Sequence, residues 1–239
     1  MQDRINITDI LFLDIETVPC AYKFGEMSPA MQQLWSDKTR FLQEREEKSA
    51  EEIYERAGIY AEFGKVVCIS TAIVHRDGGK ERIRVKSFFG HDEAEVLGTF
   101  AKVLDRYYSA PGKYICGHNL KEFDAPFLAR RMMIAGIELP KIIDTPGKKP
   151  WEVSHLDTME LWKFGDYKHF SSLSLLAEIF GIPTPKDDIS GSDVARVYYE
   201  EKDLDRIRVY CEKDTVAVAN LYRRMRYMPL IHEADVEVV

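Results

Sequence analysis

Two acids interrupt the end of an apolar run in Leu11-Phe12-Leu13-Asp14-Ile15-Glu16-Thr17. Residues two apart on a strand point to the same face, so Asp14 and Glu16 project together, about 7 Å apart along the chain. Like charges so placed repel each other unless a cation sits between them. A second candidate lies in Gly117-His118-Asn119-Leu120-Lys121-Glu122-Phe123-Asp124-Ala125-Pro126-Phe127-Leu128. Pro126 suits a first helical turn, which puts Asp124 at or near a helix start. The third is Tyr210-Cys211-Glu212-Lys213-Asp214, where a spacing of four sets phenol and carboxylate one helical turn apart on one face. Each has a plain structural alternative when taken alone: a turn opened by the acids, an N-cap, a core aromatic. Together they offer hard oxygen donors, which select magnesium or manganese over zinc because no His or Cys belongs to the set.

The elements that must position these residues can be read from periodicity. Ile10 to Ile15 is a buried strand ended by Pro19. Val66 to Val74 and Ile83 to Phe89, joined at Asp77-Gly78-Gly79, form a hairpin. Ala94, Val96, Leu97, Phe100, Val103, Leu104 and Tyr107 recur at helical spacing, and Tyr114 to Cys116 is a short strand before Gly117. A helix follows from about Asp124 to Ala135, then a short strand near Val153 to Leu156, then helices near 171–180, 191–200 and 203–226. Strands first and helices later predict an α/β fold, a mixed sheet covered by helices. No linker or repeat divides the chain, so it reads as a single domain over 1–230, with a helical insertion at about 28–57 and a C-terminal tail at 231–239. In the insertion Leu34, Trp35, Phe41, Leu42, Ile53, Tyr54 and Ala57 make an apolar stripe, opposite a charged face running from Glu44 to Glu52.

The ordered set Asp14-x-Glu16, Asn119-x-x-x-Phe123-Asp124 and Tyr210-x-x-x-Asp214 resembles the three motifs of the DEDD superfamily of 3′–5′ exonucleases. It is most similar to the tyrosine-bearing branch, which includes the proofreading domain of family-B DNA polymerases and stand-alone bacterial exonucleases related to it. The stretches Ala61-Glu62-Phe63-Gly64-Lys65-Val66 and Ile189-Ser190-Gly191-Ser192-Asp193-Val194 resemble those stand-alone proteins as well. The histidine-bearing branch would place His at the position of Val209, so the tyrosine branch fits. The resemblance implies a ribonuclease H-like fold with a mixed sheet of about five strands. It also implies that Asp14, Glu16, Asp124 and Asp214 are metal ligands, with Asp14 shared by two cations, Glu16 and Asp214 on the cation that holds the water, and Asp124 on the leaving-group side.

Phosphodiester hydrolysis needs a nucleophilic water, an anionic transition state and a stabilised leaving alkoxide, and two cations, Mg2+ or Mn2+, about 3.5–4 Å apart meet all three needs. Tyr210, a poor base at neutral pH, would aim the water. Substrate contacts are implied for Thr17, Asn119 and Phe123, the last by base stacking, with core packing as its alternative. Lys148, Lys149, Arg130 and Arg131 are candidate phosphate contacts. Asp157 reads as a helix cap that could instead be a fifth acid, and Asp187 and Asp188 as a solvated loop.

The expected activity is removal of nucleotides from single-stranded 3′ ends to give 5′-monophosphates, with the polymerase-like motifs favouring DNA as the partner. An RNA-trimming enzyme and a non-catalytic nucleic-acid or protein-binding module on a nuclease fold stay open as alternatives. With 33 Lys and Arg against 40 Asp and Glu, a net charge of −7, the 239-residue chain lacks the basic field of a duplex-coating protein. It has no apolar run of about 20 residues and no signal segment, so no membrane partner and a cytoplasmic location are expected. Cys20, Cys68, Cys116 and Cys211 are scattered and read as reduced, mostly buried small hydrophobes.

Overall fold

Strand β1, Ile10–Pro19, sends its alternating side chains into different cores. Leu11, Leu13 and Ile15 join one cluster with residues of α3 (Glu93–Tyr107) and α4 (Asp124–Ile134). Ile10 and Phe12 join another with Val218, Ala219 and Tyr222 of α8 (Leu204–Met225). The period of two therefore sends Asp14 and Glu16 to the α8 side. The structure is a computed structural model that describes residues 5–166, 168, 170–183 and 189–239. Asp187 and Asp188 lie outside the described residues.

Strands β2 (Gly64–Asp77) and β3 (Lys80–Phe89) form the expected hairpin, turning on Gly78 and Gly79, both at positive φ. β1 runs antiparallel to β2 and parallel to β4 (Tyr114–Gly117), which in turn pairs in parallel with β5 (Leu156–Asp157). The sheet has six strands in the order β5-β4-β1-β2-β3-β6, one more than expected. The extra strand, β6 (Val236–Val238), comes from the segment read as a tail and lies parallel on β3, with an Arg84–Glu237 ion pair of 3.1 Å across the two strands. The chain is led there from α8 by Asn220, whose side chain accepts from the Ile231 N–H and donates to its carbonyl.

The segment read as a helical insertion folds as α1 (Pro29–Glu46), α2 (Ala50–Ile53) and a 3-10 turn at Tyr54–Ile59. It has its own small core, in which Trp35 packs edge-on against Tyr54, Tyr60 and Phe63. Leu34 and Phe41, which the apolar stripe assigned to this core, stand in solvent instead, 55% and 74% exposed. The insertion is fastened to the end of β1: Thr17 donates its hydroxyl to the Gly58 carbonyl (2.8 Å), and the Cys20 N–H to that of Phe63 (2.7 Å). α5 (Thr158–Lys163), α6 (Leu173–Phe180) and α7 (Val194–Arg196) complete the α-helices among the described residues; the one expected at 191–200 ends as a π-helical turn at Val197–Glu201.

Candidate active site

Asp14 and Glu16 lie opposite Ser70 and Cys68 of β2, and the β1–β2 register shifts between Glu16 and Thr17. Such a bulge ends regular pairing and re-aims the residues beside it. Along α8, Ile207, Cys211, Thr215, Val218 and Tyr222 form the buried stripe. Tyr210 and Asp214 sit one residue around from it, half-buried at its edge. Spacing of four stacks the two side chains, and Tyr210 is hydrogen-bonded to Asp214.

Asp124 arrives from the other side of β1. Gly117 closes β4 where a side chain cannot fit, because a Cβ there would stand 2.8 Å from Leu120 Cβ and 3.1 Å from the Leu13 carbonyl oxygen. Asn119 follows in the left-handed region (φ 63°), which Asn tolerates better than most residues. Its carbonyl accepts from the Phe123 N–H at 3.0 Å. This loop swings Asp124 under β1, where its carboxyl accepts from the Ile15 N–H and is 4% exposed.

Asp157 organises the loop. Its carboxylate accepts from the backbone N–H groups of Asn119 and Lys121, each at 3.0 Å, and caps α5 through Met159 (2.9 Å) and Glu160. The cap reading is correct, and its grip on the loop adds a role that sequence did not reveal. His118 braces the same turn, bonded to the Thr158 hydroxyl (2.9 Å) and the Ser171 carbonyl (2.8 Å).

The electrostatics bind the separate pieces into one site. Burial, followed by the charges of Glu16, Asp214 and Asp124, raises the Asp14 carboxyl well above the usual carboxylate range, with the Cys211 thiol opposing. Burial, then Asp214, Cys68 and Asp124, does the same to Glu16. Asp124 is pushed up to about 7, first by burial and further by Asp157, against the opposing backbone hydrogen bonds. The Tyr210 phenol is raised by burial, then by Asp214 and Glu16, and so keeps its proton at neutral pH. Carboxylates that raise one another in this way are the arrangement a bound divalent cation relieves, so the donor set fits hard-metal ligation.

Other predicted residues fall in different places. Phe123 is half-buried, stacked at a tilt on Phe127 (5.5 Å) and packed against the core. The Thr17 hydroxyl is committed as a donor to Gly58. Lys148, Lys149 and Arg130 are exposed. Arg131 is not available to a phosphate: it is 8% exposed, with its guanidinium on Glu93 (2.9 and 2.5 Å) and the Ala61 carbonyl (2.9 Å). Nor does the acid set exclude cysteine. Cys211 Sγ lies 3.4 Å from both the carbonyl oxygen and Oδ2 of Asp14, and donor atoms of Asp14, Glu16 and Cys211 lie within 4.8 Å of one another. Cys211 follows Tyr210 directly, and its helical phase toward β1 was the available signal.

A family model described as "Predicted 3'-5' exonuclease related to the exonuclease domain of PolB" matches residues 59–235. That span holds Asn119, Phe123, Asp124, Tyr210 and Asp214, while Asp14 and Glu16 precede it. Among solved structures, the chain is similar to the family B DNA polymerase of the hyperthermophilic archaeon Pyrobaculum calidifontis, with a TM-score of 0.59 and 16% identity over 91% of this chain. The match takes in 24% of that polymerase, so the likeness is to one portion of it. It agrees with the ribonuclease H-like fold expected from the sequence. No curated protein matches. Among the described residues no helix is long and apolar enough to cross a membrane.

Proposed function

Because the chain belongs to the family of predicted 3′–5′ exonucleases related to the exonuclease domain of PolB, we propose that it shortens single-stranded nucleic acid, DNA in preference to RNA, from the 3′ end to 5′-mononucleotides. The observation that supports this reading is that the charges of Asp14, Glu16, Asp124 and Asp214 act on one another across β1, α4 and α8. Asp14, Glu16, Asp124 and Asp214 would hold two divalent cations, Mg2+ or Mn2+, which when bound supply Lewis acidity and a water of lowered pKa.

The chain's own residues do the rest. Tyr210 keeps its O–H at neutral pH and is bonded to Asp214, so it serves to orient the attacking water and not to take its proton. Asp157 and His118 hold the turn that carries Asn119 and Phe123, the residues assigned to the terminal nucleotides; Thr17, assigned with them, has its hydroxyl proton on the Gly58 carbonyl and so would meet the substrate as an acceptor. Stacking on Phe123 would tolerate any base, and exposed Lys148, Lys149 and Arg130 are available to phosphates.

The test uses two 5′-labelled single strands of equal sequence, one DNA and one RNA, with magnesium, manganese or chelator, resolved on a gel. A ladder that shortens from the 3′ end only with metal, faster for DNA, is expected. A faster RNA ladder would make this a trimming enzyme for RNA. Strands that stay intact in every condition but are bound with or without metal would replace the catalytic reading with a binding module.

A further inference from the structure

Cys211 is buried, and its sulfur points at the carboxylates that a hard cation would use. A tetrahedral zinc ion with Zn–S of about 2.3 Å and Zn–O of about 2.0 Å needs its sulfur and oxygen ligands about 3.5 Å apart. Cys211 Sγ and Asp14 Oδ2 are 3.4 Å apart, and a Glu16 donor atom completes a triad within 4.8 Å. The triad joins two elements that pack whether or not a cation is bound: Cys211 and Cys68 lie in the core that α8 shares with β2, and Thr215 fixes the helix to the Ser70 carbonyl at 3.3 Å. A thiol is a poor ligand for magnesium and a strong one for zinc or cadmium.

We infer that Asp14, Glu16 and Cys211 form a site for a thiophilic divalent cation, Zn2+ in solution and Cd2+ as its probe, which excludes the hard cations by taking two of their carboxylates. On entry a metal–sulfur bond forms and the Cys211 thiol proton leaves to the buffer, with no change of oxidation state. A cation held there is coordinated in part by sulfur and sits off the position that four carboxylates would define. Zinc or cadmium therefore inhibits the chain and does not substitute for magnesium.

The experiment titrates Cd2+ into the metal-free Cys20→Ser protein, which removes the exposed thiol, and follows cadmium–thiolate charge-transfer absorbance. One equivalent is expected to produce the band, excess magnesium to reduce it, and Cys20→Ser/Cys211→Ser to weaken binding by about tenfold or more, the scale on which losing part of a metal site acts. Glu16→Gln in the Cys20→Ser background should weaken it too, which keeps the test decisive where Cys211→Ser fails to fold. A band that survives Cys211→Ser, or one indifferent to both magnesium and Glu16→Gln, overturns the inference. Because the inference builds on the carboxylate set of the proposed nuclease, a parallel assay compares activity with and without zinc in the Cys20→Ser and Cys20→Ser/Cys211→Ser proteins. The absorbance readout stands even for a chain that cleaves nothing, so the two readings fail separately.

Discussion

Replacing Asp124 by Asn should stabilise the metal-free protein at alkaline pH while ending nuclease activity. The folded-state carboxyl sits at about 7 against an ordinary value of 3.8. The unfolded chain thus loses this proton first as pH rises, and stability falls across the window from about 4 to 7, because the folded state binds more protons there. A shift of about 3 units corresponds to on the order of 4 kcal/mol, fully present below the unfolded value and lost above 7. Asn stays neutral throughout but cannot reproduce both backbone bonds accepted by Asp124, and one lost bond costs about 1 kcal/mol. The net gain at pH 8 is then about 3 kcal/mol, or roughly 6–12 °C in Tm for a chain of this size. Thermal melts in chelator at pH 5 and pH 8 measure it. At pH 5 wild type has already lost somewhat under half of this stability, so the variant should gain less than about 1 kcal/mol there against about 3 kcal/mol at pH 8, with saturating magnesium narrowing the gap by stabilising wild type. A variant equally destabilised at both pH values would refute the reasoning, since it would mean that the Asp124 charge costs the empty site nothing.

Two further substitutions separate orientation from ligation. Tyr210→Phe removes the hydroxyl bonded to Asp214 and should lower hydrolysis at least about tenfold, with magnesium affinity nearly intact by titration; full activity in a steady-state assay would sink the role. Asp157→Asn turns an acceptor toward the Lys121 N–H into a donor, so urea denaturation should show a loss of about 1–3 kcal/mol, with turnover reduced but not abolished. A folded Asp157→Asn protein as inactive as Asp14→Asn would mean that the ligand set is incomplete.

What the sequence revealed and what it hid have separate physical causes. Asp14 and Glu16 were legible because charge at the end of an apolar strand breaks the pattern that burial imposes, and Tyr210 and Asp214 because helical spacing fixes their mutual position. Arg131 was misread because a buried guanidinium and a solvated one have the same sequence signature, and only the fold brings Glu93 to it across 38 residues of chain. Leu34 and Phe41 look like core by periodicity, but the insertion's small core is filled by Trp35 and the aromatic rings around it, leaving those two in water. Strand β6 was missed because three residues carry no measurable period, and its place follows from the Asn220–Ile231 bonds and an unpaired edge of β3.

Cys211 shows why the site itself was harder to delimit than to find. Its phase on α8 is that of Ile207 and Thr215, and a buried cysteine at such a position reads as a small hydrophobe. The stripe that packs the helix and the face that carries Asp214 are only one residue apart, so packing the helix against β1 necessarily brings a core residue against Asp14. A hydrocarbon there would leave the half-buried Asp14 carboxylate without the thiol hydrogen bond that opposes its rise in pKa. A larger polar group would not fit beside Cys68 in the same cluster. The thiol meets both demands, and the same compromise sets one soft donor atom beside the carboxylates.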